Sequence, residues 1–225
     1  MNKLFVCLAL LFVLCISSAA KADTLTFTPS PVDLNDLDHH MVYTWRVDNV
    51  SVPTGQHITG ARITLKDIAN WDNNANKLFI HLLDTAKAAG VRSFEDEPEG
   101  SVPVNHIDDD FVDTRFHSSS SWLVANGTAD TFLTTYTNLP MTAQTLVYNF
   151  TNAQLNALIS YISNGGNFAL GFDPDCHFFN NGITFEIFTA PNATTPEPAT
   201  LTLLGTGLAG LYARKRRRQK ARSVA

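Results

Sequence analysis

Cysteine is nearly absent from the part of this chain that can fold. Three occur in 225 residues, and Cys7 and Cys15 lie in an apolar N-terminal run expected to be removed, which leaves Cys176 alone. One cysteine cannot form an intramolecular disulfide, so the domain must be held by its own core. Beside Phe178 and Phe179, Cys176 is expected to be a small buried hydrophobe. Basic charge is also scarce. Between Asp23 and Thr195 there are 7 Lys and Arg against 20 Asp and Glu, a net charge of −13. A surface of that sign repels phosphate backbones, which excludes nucleic acid as a partner, and it suits divalent cations. Catalytic signatures are missing as well: there is no GxSxG elbow, no HExxH helix and no paired CxxC. What remains is an ordinary globular composition, 44% hydrophobic and 16% charged, with enough chain for a core.

Both ends depart from that average. Lys3 precedes the apolar run Leu4 to Ile16, and Ser17, Ser18, Ala19 and Ala20 then shrink the side chains. Ala20-Lys21-Ala22 fits the small-x-small pattern that a signal peptidase admits. Residues 1–22 are therefore expected to be a signal peptide, with the mature chain starting at Asp23. The run is shorter than the ~20 residues a spanning helix needs, and Leu14 stands where a lipoprotein would have a small residue before Cys15.

At the other end, Pro196-Glu197-Pro198 is followed by a small-residue apolar stretch, Thr200 to Ala213, and by Arg214-Lys215-Arg216-Arg217-Arg218. The basic cluster is expected to stop transfer and to stay cytoplasmic. Fourteen residues rise only ~21 Å as a helix, against a hydrocarbon core of ~30 Å; snorkelling and local thinning could absorb the difference. Such a span suits a temporary stop. Pro-Glu-Pro-Ala-Thr, a Leu/Gly/Ala helix and an Arg-rich end together resemble the PEP-CTERM sorting signal, here spanning 194–225. The resemblance implies an exosortase, a membrane cysteine transpeptidase, as processing partner near Pro196 to Pro198. It implies transient residence in the inner membrane, then delivery to the cell surface or matrix. The chain would be the substrate of that reaction.

Between the ends the dominant period is two. Strands are expected at Leu25–Phe27, Val42–Val47, Ile58–Ile68, Leu78–Leu83, Thr131–Thr137, Thr145–Phe150, Phe168–Phe172 and Ile183–Phe188. One helix interrupts them. Thr151 and Gln154 form a capping box, Leu155, Leu158, Ile159 and Ile162 share a face, and Gly165-Gly166 ends it. The expectation for residues 23–193 is an all-β fold: an antiparallel β-sandwich of jelly-roll or galactose-binding type with one short helix. Asp84 to Ser121 is expected to be a polar excursion, with a weak helical turn at Thr85 to Ala89.

Candidate chemistry is concentrated in the loops. Asp72 and Asn74, with Asp173 and Asp175, offer hard oxygen ligands for Ca²⁺; the same residues are also ordinary turn formers. Histidines at 39, 40, 106, 117 and 177 lie among carboxylates without metal-site spacing. Trp71 and Trp122 flank polar loops and are the best candidates for exposed rings that stack on sugars, whereas Trp45, Tyr136 and Phe178 lie in or beside strands. A glycosidase needs two carboxylates fixed across a cleft, and Glu95, Asp96, Glu97 and Glu99 fall in one loop. The expected function is a non-catalytic surface or matrix protein associated with exopolysaccharide; a secreted polysaccharide-active hydrolase is the alternative.

Overall fold

The computed structural model describes residues 22–38, 41–95 and 128–192, together with Leu203, 205–212, Arg214, Lys215 and Gln219. Residues 22–190 form one compact unit. Its strands are β1 (Asp23–Phe27), β2 (Met41–Val47), β3 (Gln56–Asn70), β4 (Lys77–Leu83), β5 (Gly90–Glu95), β6 (Asp130–Thr137), β7 (Gln144–Asn149), β8 (Phe168–Pro174), β9 (Phe178–Phe179) and β10 (Ile183–Pro191). The helix α1 (Asn152–Gly165) lies between β7 and β8. One sheet has the order β1-β10-β3-β7, with β9 also on β3; the other has the order β5-β2-β8-β4-β6. The chain is mostly β, built from antiparallel sheets.

The two sheets share a core because period-two sequence gives each an apolar face. Ile58, Ala61, Ile63 and Leu65 of β3 are buried, and Arg62, Thr64 and Lys66 point outward. The alternation then breaks. Register with β7 shifts between Leu65 and Ile68, where Asp67 takes a positive φ of 49°, and Ile68, Ala69 and Asn70 are all buried. This β-bulge turns the end of β3 out of plane. From the second sheet, Tyr43, Trp45, Leu78, Ile80, Phe168 and Leu170 pack into the same cluster as Ile63, Leu65, Phe185 and Ile187 of the first.

Helix α1 forms as its sequence predicts. Gln154 N donates to Thr151 Oγ1 and Thr151 N to Gln154 Oε1, and Gly166, at φ 68°, donates its N–H to Ile162 O. The buried face runs through Gln154, Leu158 and Tyr161, while Ile159 is exposed. Gln154 has a second task. β6 is an edge strand whose register with β4 slips between Ile80 and His81. The Gln154 side-chain amide donates to Phe132 O and Leu133 O, both at 3.0 Å, and the Tyr148 hydroxyl donates to Leu133 O at 2.6 Å. A helix cap therefore also donates to carbonyls of an edge strand at its register slip. Gln154→Ala is expected to cost about 1–3 kcal/mol, combining loss of the bond back to Thr151 N with the loss of the donor to Phe132 O. Urea unfolding measures it, and a loss under ~0.5 kcal/mol would show that water replaces the amide.

Two local expectations are corrected. Residues 85–89 form no helical turn: Ala86 O accepts from Arg46 Nη1 at 2.8 Å, which ties the segment to β2. The excursion from Asp84 also begins with a strand. β5 pairs with β2, with Val91 packed on the main core and Phe94 on a second cluster of Val42, Leu83, Ala86 and Ala169. Residues 96–121 of that excursion lie outside the described residues.

Candidate functional site at the tip of the sandwich

The loop after β3, the loop after β8 and the short strand β9 meet at one end of the domain. Asn70, buried at the end of β3, donates its N–H to Pro140 O at 2.9 Å and its side-chain amide to Asn74 O at 3.1 Å. Its Oδ1 accepts from Asn76 Nδ2 at 2.9 Å. Asp72 Oδ1 accepts from Asn74 N at 2.9 Å and Asn76 Nδ2 at 2.7 Å, and its Oδ2 accepts from Asn74 Nδ2. The Asp/Asn-rich sequence thus folds on itself as a chain of Asx bonds. Two bonds link the loops: Trp71 N donates to His177 O at 3.0 Å, and Asp175 N to Lys77 O at 2.9 Å.

Beyond the bulge, Trp71 emerges into solvent with 59% of its surface accessible. Its ring centroid lies 6.3 Å from that of His177 and 6.4 Å from that of Phe179, and His177 and Phe179 are 4.6 Å apart. Phe178 and Phe179 are neighbours in a strand, so they face opposite ways. Phe178 is buried in the core and Phe179 is 43% exposed.

A strained turn holds β9 in place. Leu34, Asn35, Asp36 and Leu37 all have positive φ, between 41° and 60°, a conformation that costs roughly 1–2 kcal/mol per L-residue. Complete burial of Leu34 and Leu37 offsets this by roughly 1.5–3 kcal/mol each. The turn then grips β9: Phe178 N donates to Leu37 O, Asn180 N to Asp36 Oδ1, and Asn180 Nδ2 to Asp33 O at 2.8 Å. On its other side β9 pairs with Ala69 and Asn70 of β3. Backbone strain of this kind is often found beside functional surfaces.

The structure brings some of the sequence candidates together. Asp72 and Asn74 bond to each other, and both oxygens of Asp72 already hold amide donors. Asp173 is buried within β8 opposite Phe79, and Asp175 follows in the adjoining loop. Among the described residues, no three His, Cys, Asp or Glu side chains form a group that could hold a metal ion. Cys176 lies half-buried in the loop between β8 and β9. Burial pushes its thiol upward from the usual range, and the charges of Asp72 and Asp175 push the same way, outweighing the backbone hydrogen bond from His177. It is a poor nucleophile. Trp71 is exposed as its sequence setting suggests. Trp45 and Phe178 are core residues, and Trp122 lies outside the described residues. The sequence places His177 among carboxylates and Phe179 beside Cys176 and counts neither with the exposed rings, although two adjacent aromatics in an extended stretch imply that one faces outward.

The two ends of the domain leave elsewhere. Asp23 pairs with Thr189 across β1 and β10, and Thr189 also bonds to Gln56 at the start of β3. From there β3 runs 15 residues to Asn70, about 45 Å as strand. The aromatic group is therefore at the opposite end of the sandwich from both chain exits. In the segment after β10, Leu203, 205–212, Arg214, Lys215 and Gln219 are helical, and Leu203, Leu208, Leu211 and Tyr212 are exposed. No helix among the described residues is long and apolar enough to cross a membrane. Pro196, Glu197, Pro198, Arg216, Arg217 and Arg218 lie outside the described residues.

Behind the antiparallel β domain the sequence carries a short apolar segment and a basic end, the layout of a C-terminal sorting address. The address is specific: residues 194–218 match the PEP-CTERM protein-sorting motif, so by its tail the chain is a PEP-CTERM protein, exported and processed by an exosortase. No curated protein matches the chain.

Proposed function

We infer that this is a non-catalytic surface or matrix protein whose β-sandwich, of jelly-roll or galactose-binding type, holds exopolysaccharide. The short segment from Thr200 to Ala213 acts as a temporary membrane stop, with its exposed leucines in lipid and Arg214 to Arg218 at the cytoplasmic face. The observation that carries the binding reading is Trp71, a large apolar ring left in solvent beside two further rings and a set of amide and carboxylate groups. Exposed aromatics grouped in this way mark a binding surface more often than chance exposure.

The hydrolase alternative is less well supported. Among the described residues an acid–base pair does occur, His81 Nδ1 at 2.8 Å from Asp130 Oδ1, but His81 is fully buried and meets no substrate. Incubating the mature domain with extracted exopolysaccharide should therefore give retention with no new reducing ends. Release of reducing ends that saturates with substrate would replace this reading with the hydrolytic one.

A further inference from the structure

We propose that the tip formed by Trp71, His177 and Phe179 is a subsite for uncharged glycans, taking a neutral pyranose chain and rejecting uronate- or sulfate-bearing polymers. The proposal rests on the glycan-binding reading and adds a composition and a charge rule to it.

The apolar part of the subsite comes from two rings on different loops. Trp71 and Phe179 are both substantially exposed and lie 6.4 Å apart with their planes inclined at 45°, and His177 packs against both. A pyranose with equatorial hydroxyls presents a flat array of C–H groups that suits such faces. Its hydroxyls need directional partners, and exposed Asn73 and Asn74 follow Trp71 in the same loop. The backbone that carries the rings is held before any ligand arrives. Phe179 is fixed between β3 and the turn at Leu34 to Leu37, and Trp71 by its bond to His177 O. Ordering that is already present lowers the entropy cost of binding.

The charge rule follows from the groups around the rings. Asp72 follows Trp71, and Asp175 lies two residues before His177. Both are close enough to act electrostatically on Cys176 between them. With a net charge of −13 from Asp23 to Thr195, the field at the tip opposes a polyanion during approach and in the bound state. A neutral chain meets no such barrier. Both chain exits leave the sandwich at its other end, so the tip is not the point of tethering.

Binding of the mature domain is measured by calorimetry against neutral oligosaccharides (a β-glucan, a mannan and a galactan) and an oligo-uronate of equal length, at low and physiological salt. The expected result is saturable binding to at least one neutral chain, weakened about tenfold in Trp71→Ala and in Phe179→Ala. Val147→Ala, which removes an exposed apolar side chain from β7, should leave binding unchanged. Both ring variants should unfold at the wild-type temperature, since neither ring is in the core. Preference for the oligo-uronate would overturn the charge rule and leave the glycan reading standing. Loss with Trp71→Ala but not Phe179→Ala would overturn the two-ring subsite, as would equal losses in all three variants. Failure to bind any chain would overturn both the subsite and the glycan reading.

Discussion

Phe185→Ala is expected to lower the unfolding free energy of the mature domain by about 3–5 kcal/mol, the usual range for removing a buried phenylalanine. Phe185 belongs to β10 in one sheet, yet its ring lies 5.0 Å from that of Phe168 in the other. It also meets Phe150, just before α1, at 5.6 Å and Phe27 of β1 at 6.4 Å. Truncation therefore opens a void between both sheets and the start of the helix, in a site that cannot collapse without moving three elements. A domain of this size has roughly 5–15 kcal/mol in total, and with Cys176 as its single cysteine no disulfide limits the unfolded state. Phe185→Leu retains most of the volume and should cost under about 1.5 kcal/mol. Urea unfolding at neutral pH distinguishes the two. A loss below ~1 kcal/mol for the alanine variant would mean that the sheets close over the gap and that the aromatic cluster is not where the two halves are joined.

The second large effect is on destination. Replacing Pro196, Glu197 and Pro198 by alanine should abolish exosortase processing, so that the protein stays in the membrane fraction with its basic end attached. Wild-type protein recovered from the surface should end before the basic cluster, as read by mass spectrometry of its C-terminal peptide. Recovery of a surface form that still contains Arg214 to Arg218 would contradict processing, and an alanine variant cut normally would place the recognition elsewhere in residues 194–218. The folded domain should be indifferent to the change, because β10 ends at Pro191. Equal urea midpoints for the variant and wild-type domains would separate a sorting defect from a folding one.

Much of this fold was legible in the sequence because it obeys local rules. The long alternation in β3, the continuous apolar run of β4 and the capping box at Thr151 each give one answer, and all eight expected strands form. What escaped was decided at a distance. β5 is short, and its apolar residues Val91 and Phe94 are three apart and serve opposite faces, so no period-two pattern shows; it becomes a strand by pairing with the edge of β2. β9 is two residues long, below the length at which any period can be read. The turn at Leu34 to Leu37 runs against residue preference: Asn35 and Asp36 tolerate positive φ, but Leu34 and Leu37 accept it only because the core receives their side chains. The tip was legible in half. Trp71 stood out as a tryptophan among Asn and Asp, whereas His177 and Phe179 join it only through the β3–β9 pairing, which no local pattern announces.

The pairing of β1 with β10 has a consequence for the timing of export. The first strand of the domain finds its partner in the last, with Thr189 bonded to Asp23 across 166 positions. During export from the N-terminal side, β1 emerges before β10 and lacks its partner until then. The sheet β1-β10-β3-β7 cannot close until residues up to Pro191 are available to it. Long-range pairing of this kind is slow and leaves strand edges open to other chains.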